Sequence, residues 1–297
     1  MDRRSEKAVF CNPEQPEVTM EFLDFAVSNG LVIKRFQTGK ISRCSTLTHP
    51  QKENGAYFFE GDFGWVQDWA QDETPRFWKL DKPRTAAEEA DFAERVKKSA
   101  ERHQREKREA QRKAAEKALW IMSQCKIEPH AYLDKKGFPE LSGSVFRPTE
   151  DQNLLIIPMR SDQKVVGCQM IDRDGNKKFL FGQQCRGAEF RIGAGKLHIY
   201  CEGYATGLSI AEALKALKTP FTLHVTFSCQ NMILIAQRGP KGLVVADNDK
   251  SGAGERAARD IGYPYFLPPN GDFNDFWLEN GTFRSSQALK KTVAGLL

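Results

Sequence analysis

Two acidic clusters stand about forty-five residues apart, and each follows a short apolar run. Glu202 comes after Leu197-His198-Ile199-Tyr200-Cys201, and Asp247-Asn248-Asp249 comes after Gly242-Leu243-Val244-Val245-Ala246. Short apolar runs bounded by turn residues read as strands covered on both faces, as in a parallel sheet flanked by helices. The carboxyl ends of such strands share one edge of the sheet, where ligands bind. Residues 196–297 are therefore expected to form an α/β sheet with three carboxylates converging on that edge. The rest of the segment fits this reading, with helices expected at 206–217, 230–237 and 253–261 and strands at 221–227 and 265–267. A short helix at 275–279 and a closing helix at 287–296 complete it. Converging carboxylates suit Mg²⁺ or Mn²⁺, which take hard oxygen ligands and leave positions open to phosphate. Asp247 and Asp249, two residues apart on extended chain, are expected to project the same way and act as ligands. Glu202 is either a further ligand or a general base. Lys250 opens the next helix, whose N-terminus favours phosphate. Asp272 and Asp275, within Gly271-Asp272-Phe273-Asn274-Asp275, either hold a second ion or belong to a helix cap made by Asp272 or Asn274.

Upstream, residues 128–195 read as a mainly β unit. Strands are expected in Leu154-Leu155-Ile156-Ile157-Pro158-Met159, in Val165-Val166-Gly167-Cys168-Gln169-Met170-Ile171 and in Lys178-Phe179-Leu180-Phe181. Asp174-Gly175 marks a hairpin turn between the last two. Lys177, Lys178, Arg147 and Arg160 give this unit a positive character suited to polyphosphate or nucleic-acid backbone. The plainer alternative is that the lysines simply follow an exposed hairpin.

Residues 85–124 contain neither Gly nor Pro and are rich in Ala, Glu, Lys, Arg and Gln, which dictates helix. Thr85 and Glu88 form a capping-box pattern. Acids come early and bases late, in accord with the helix macrodipole. This charged stretch is a linker helix between domains or, alternatively, a basic rail along nucleic-acid backbone. Residues 1–81 form a small α+β module, with a helix at 18–29 stopped by Gly30 and strands at 31–33, 41–44, 56–59 and 64–66. Lys34, Arg35, Lys40 and Arg43 accompany Tyr57, Phe58, Trp65 and Trp69 there. Such a set either stacks and neutralises single-stranded nucleic acid or divides into aromatic core and solvated cations. The expected domains are thus 1–81, a charged helix at 82–127, a basic β unit at 128–195 and the α/β sheet at 196–297.

Composition narrows the classes. A chain of 297 residues with 40% hydrophobic and 28% charged residues is globular, and its net charge of +5 biases it mildly towards polyanions. Seven cysteines without a C-x₂-C pair imply reduced thiols in a reducing compartment and argue against a Cys₄ zinc ribbon. The first residues carry no apolar h-region, so no signal peptide is expected. The apolar run Leu154-Leu155-Ile156-Ile157 is far too short to span a bilayer, and a cytoplasmic location without membrane association follows as an expectation. His130, His198 and His224 are dispersed along the sequence and read as core residues, as does Cys201.

The motifs Glu202-Gly203-Tyr204-Ala205-Thr206-Gly207, Asp247-Asn248-Asp249-Lys250-Ser251-Gly252 and Gly271-Asp272-Phe273-Asn274-Asp275 resemble, in order and spacing, the TOPRIM domain of bacterial-type primases, including those of phages and plasmids. The resemblance extends upstream to about residue 128, where the β unit resembles the basic subdomain that precedes TOPRIM in those primases. It implies that Lys177 and Lys178 face template and nucleotide, and that Gln169 takes a place often polar or basic. The implied activity is synthesis of short RNA primers on single-stranded DNA from ribonucleoside triphosphates, with Mg²⁺ or Mn²⁺ at Glu202, Asp247 and Asp249. A TOPRIM nuclease would use the same carboxylates, and a non-catalytic nucleic-acid-binding protein with a retained TOPRIM fold is a further alternative. A topoisomerase is not implied, since the chain leaves no room for the usual gate. The sequence contains no G-x₄-GK[ST] element, so a separate replicative helicase is the implied partner.

Overall fold

The computed structural model describes residues 16–294 apart from Ala70 and Glu73. The N-terminal residues expected to lack a signal peptide, Cys11, and residues 295 and 296 of the expected closing helix lie outside the described residues. The chain divides into two compact units, Met1–Arg102 and His103–Leu297.

In the first unit, helix α1 (Pro16–Ser28) packs on a five-stranded antiparallel meander in the order β1-β2-β3-β4-β5. Its strands are β1 (Leu31–Val32), β2 (Ser42–Thr46), β3 (Gly55–Glu60), β4 (Phe63–Asp68) and β5 (Arg76–Lys79). Gly30, at φ +80°, ends α1 as its position predicts. Alternation along β3 sends Tyr57 and Phe59 to the core beneath Phe22 of α1, and Gly64 leaves room for the Phe22 ring, because a Cβ there would come within 2.7 Å of it. Helix α2 (Ala86–Ser123) begins with the expected capping box: the Thr85 amide donates to Glu88 at 2.7 Å and the Glu88 amide to the Thr85 hydroxyl at 3.3 Å. Its first turns belong to this unit. Phe92 meets Phe63 edge to face, and Arg95 donates to Asp62 at 3.0 Å.

The second unit takes the remainder of α2. Ala114, Ala118 and Ile121 pack against Phe146, Ile156, Cys168 and Leu180, so this part of the expected linker helix is built into a core. The sheet it covers is antiparallel, in the order β10-β9-β8-β7-β6. Its strands are β6 (Lys126–Pro129), β7 (Ser142–Phe146), β8 (Leu154–Ser161), β9 (Lys164–Ile171) and β10 (Lys177–Phe179), and the short helix α3 (Ala131–Lys135) follows β6. The β9–β10 turn carries Gly175 at φ +92°, in keeping with the Asp174-Gly175 signal.

The third sheet is the expected α/β layer. Strands β12 (Leu197–Cys201), β13 (Phe221–Val225), β14 (Gly242–Val245) and β15 (Tyr265–Phe266) run parallel. The order is β11-β13-β12-β14-β15, with β11 (Phe190–Gly193) as an antiparallel edge strand. This strand precedes residue 196 yet belongs to the α/β sheet. Helices α4 (Tyr204–Ala216) and α7 (Phe273–Val293) cover one face, and α5 (Cys229–Arg238) and α6 (Ala253–Ile261) cover the other. The two helices expected near the C-terminus are one element kinked at Gly281, where φ is +71°. Leu155, Ile157 and Ile171 of the antiparallel sheet share one apolar cluster with Ile199, Leu223 and Phe273, and this common core sets the two sheets of the unit against each other. Among the described residues no helix is long and apolar enough to cross a membrane.

Candidate active site

A cleft of about 190 Å³ opens between the ends of β12 and β14 on one side and β9 and β10 on the other. Glu202, Asp247 and Asp272 line it from the α/β sheet, and Lys177, Gln169 and Phe179 line it from the antiparallel sheet. The acidic side follows from local structure. Glu202 is the first residue after β12, and its backbone carbonyl accepts from the amide of Phe227 at 2.9 Å. Asp247 lies two residues beyond β14. Asn248 between the two aspartates is a clamp: it exchanges backbone hydrogen bonds with Gly271 at 2.8 and 3.1 Å, and its amide donates to the Pro268 and Pro269 carbonyls. The clamp brings Asp272 to the cleft, where it also caps α7 by accepting from the Asp275 amide at 2.9 Å.

The electrostatics of the cleft centre on Asp247. Its Oδ1 is buried and has no hydrogen-bond partner. Burial, and then the charges of Glu202 and Asp272, push its carboxyl up to about 7, against the pull of Lys177. Glu202 Oε2 accepts from the Cys229 thiol at 2.8 Å, and burial followed by this carboxylate drives that thiol far above its ordinary range. A buried carboxylate oxygen without a donor, surrounded by like charges, is the electrostatic environment a divalent cation relieves, and the donors are the hard oxygens Mg²⁺ or Mn²⁺ prefer. Among the described residues no three His, Cys, Asp or Glu side chains are gathered closely enough to enclose an ion. Two carboxylates with a shell of water is the arrangement that Mg²⁺ commonly keeps.

The other residues singled out in the sequence are dispersed around this centre. Asp249 turns away from the cleft: its Oδ1 accepts from the Ser251 hydroxyl at 2.6 Å and from the amides of Ser251 and Gly252, and these bonds hold its carboxyl below the usual range. The chain leaves the extended conformation after Val245, so the two-residue period that would have aligned Asp249 with Asp247 no longer applies. Asp275 is exposed, with Lys136 Nζ at 4.0 Å. Lys250 is exposed in the turn before α6. Alternation along β10 puts Lys177 and Phe179 at the cleft and leaves Lys178 out of its lining. Arg147 is paired with Glu128 at 2.5 Å, beside a separate hollow next to Trp120. Arg160 exchanges backbone hydrogen bonds with Glu189, and its side chain donates to the Gln163 carbonyl at 3.3 Å.

Several cleft residues carry no sequence signal. Tyr132 of α3 is buried, and its hydroxyl has no hydrogen-bond partner. Lys136 lines the same space, as does Thr206 of the Glu202–Gly207 motif. Phe227 lines it in the left-handed region at φ +66°, a conformation a bulky side chain seldom adopts, and meets Phe179 edge to face. The histidines are less dispersed than their spacing suggests. His198 Nδ1 lies 3.0 Å from His224 Nε2, and His224 Nδ1 donates to Glu189 at 2.6 Å. Cys201 is fully buried packing, as expected.

No protein-family model matches the chain. Two solved structures show a distant likeness. One is described as the bacteriophage T7 lagging-strand DNA polymerase interacting with primase domains of two gp4 subunits bound to an RNA/DNA hybrid and dTTP, with 15% identity, a TM-score of 0.41, and coverage of 57% of this chain and 91% of that one. The other is the primase fragment of the bacteriophage T7 primase-helicase protein, with 14% identity, a TM-score of 0.38, and coverage of 55% of this chain and 69% of that one. At these values the function of the chain has to be argued from its own residues.

Proposed function

We propose that the second unit is a DNA primase that makes short RNA primers on single-stranded DNA from ribonucleoside triphosphates, with Mg²⁺ or Mn²⁺ held by Asp247 and Glu202. The observation that carries this reading is the buried, partnerless Oδ1 of Asp247, set in a cleft whose opposite wall presents Lys177. Asp272 at the lining and Asp249 nearby extend the negative field. A bound metal ion would lower the pKa of an attacking 3′-hydroxyl and stabilise charge on the α-phosphate. The protein groups supply binding and orientation. Lys177 neutralises the triphosphate, Gln169 and Tyr132 offer hydrogen bonds to it, and Phe179 with Phe227 shields the reacting atoms from water. The Cys229 thiol, donating to Glu202 Oε2, orients that carboxylate. The primase reading also proposes a separate replicative helicase as partner.

The test is incubation of the protein with single-stranded DNA, ribonucleotides and Mg²⁺ or Mn²⁺. Labelled oligoribonucleotides should appear only when template, nucleotide and metal are all present. Template cleavage without new oligomers would replace this reading with a nuclease acting through the same carboxylates.

A further inference from the structure

The first unit gathers exposed positive charge around one hollow. Lys34, Arg35, Lys40 and Arg43 line a hollow of about 390 Å³ in which Glu53 is the acidic lining residue. All four are exposed, and among the described residues none is engaged in an ion pair. The segment between β1 and β2 that carries three of them is not a loose loop. Phe36 is buried and stacks on Tyr57 with the rings 5.6 Å apart and 6° from parallel. The Tyr57 hydroxyl accepts from the Gln37 amide at 2.9 Å and donates to the Arg35 carbonyl at 3.2 Å. The Gly39 amide donates to the Phe59 carbonyl at 2.8 Å. The core of the module therefore fixes the backbone that carries three of the cations, and cations gathered around one hollow suit a polyanion.

Beside one of the cations stands an exposed aromatic ring. Arg43 lies over the Trp69 ring, 5.5 Å from its centroid, and Trp69 is 56% exposed. The four aromatic residues singled out from the sequence thus divide: Tyr57 and Phe58 are core, whereas Trp69 is at the surface and Trp65 is half-buried. An acidic peptide needs the cations alone. A strand with unpaired bases uses both parts, since phosphates meet the cations and a base can stack on an exposed indole.

We infer that the hollow bounded by Lys34, Arg35, Lys40 and Arg43, with Trp69 beside it, is a binding site for single-stranded nucleic acid, distinct from the carboxylate cleft and independent of metal. It does not depend on the chemistry proposed for that cleft.

The experiment uses the full chain and a fluorescent oligothymidylate, with anisotropy read in EDTA and without nucleotide across a range of salt concentrations. Replacing Lys34, Arg35 and Lys40 by alanine should weaken binding at least tenfold near 0.1 M salt. It should also flatten the slope of log K against log salt by about 2, since each lost contact to a single strand removes about 0.7. Trp69→Ala should lose about tenfold on the single strand and less than twofold on a duplex of equal length, and Trp69→Phe should recover most of the loss. Far-ultraviolet circular dichroism establishes that the variants are folded. An unchanged salt slope in the triple variant overturns the inference. So does competition by poly-glutamate as strong as that by oligothymidylate, which would assign the hollow to an acidic protein. A null result here leaves metal-dependent primer synthesis untouched, because the assay contains neither metal nor nucleotide.

Discussion

Asp247→Asn should make the metal-free protein more stable at pH 8 while abolishing catalysis. Folding raises the Asp247 carboxyl from 3.8 to about 7. A shift of about three units corresponds to about 4 kcal/mol, which is the expected penalty once both limits are reached. The sign follows from proton counting. Below about pH 4 both states are protonated and there is no penalty. Between about 4 and 7 the native state alone keeps the proton, so raising the pH disfavours it, and above about 7 the penalty is complete. Asparagine, uncharged and of the same shape, escapes it. For a unit of this size the gain corresponds to a rise in Tm of about 8–16 °C at pH 8. At pH 5 little more than about a third of it should remain, and at pH 4 almost none. Thermal unfolding in EDTA at the three pH values measures this directly. Added Mg²⁺ should raise the Tm of the unmodified protein at pH 8, by about 2.7 kcal/mol of stability at a hundred times its Kd, and should do much less for the variant. A variant that is less stable at pH 8, or whose gain is the same at every pH, would show that Asp247 is not a strained site carboxylate.

Three further outcomes are expected. Tyr132→Phe removes a buried hydroxyl that has no partner, so it should raise metal-free stability by up to about 1 kcal/mol in urea unfolding and raise the KM for nucleotide. Lys177→Ala should raise that KM at least tenfold and Lys178→Ala less than twofold, as read by steady-state primer synthesis, because alternation along β10 puts Lys177 and not Lys178 at the cleft. A fragment spanning 103–297 should unfold cooperatively in calorimetry, whereas one beginning at 128 cuts into β6 and uncovers the cluster beneath Ala114, Ala118 and Ile121, and should lose about 3 kcal/mol or aggregate.

What could be read from the sequence depended on how much each element is determined locally. The parallel strands were legible because Ile199, Val225 and Leu243 through Val245 sit in runs buried on both sides, bounded by glycine and acidic residues. The capping box at Thr85, the stop at Gly30 and the turn at Gly175 are local chemistry and were equally visible. Strands β5, β6, β7 and β11 were not. Ser142-Gly143-Ser144 has no apolar period, and Phe190-Arg191-Ile192-Gly193 lies at a sheet edge, where burial is partial. At the site, Glu202 and Asp247 were legible as strand-end carboxylates. Tyr132, Lys136 and Phe227 are cleft residues only because two sheets face each other, and no spacing along the chain encodes that. The separation of Lys177 from Lys178 likewise depends on the pairing of β10 with β9, which sets Phe179 opposite Gln169.

The reciprocal backbone hydrogen bonds between Arg160 and Glu189, at 2.8 and 2.9 Å, bear on how the second unit comes apart. They tie the end of β8 to the approach of β11, on top of the apolar cluster that both sheets share. Elements joined in this way exchange their amide hydrogens as one cooperative block, so β8 and β12 should show the same opening free energy, close to that of global unfolding. On that expectation the two walls stay together for as long as the unit is folded. For the proposed chemistry, entry and exit of a substrate would fall to the outermost strand, β10, whose three residues are all exposed and which among the described strands pairs with β9. Its amides should exchange fastest among the strands that line the cleft, and the hairpin it closes is the part of the wall that can yield on the timescale of turnover.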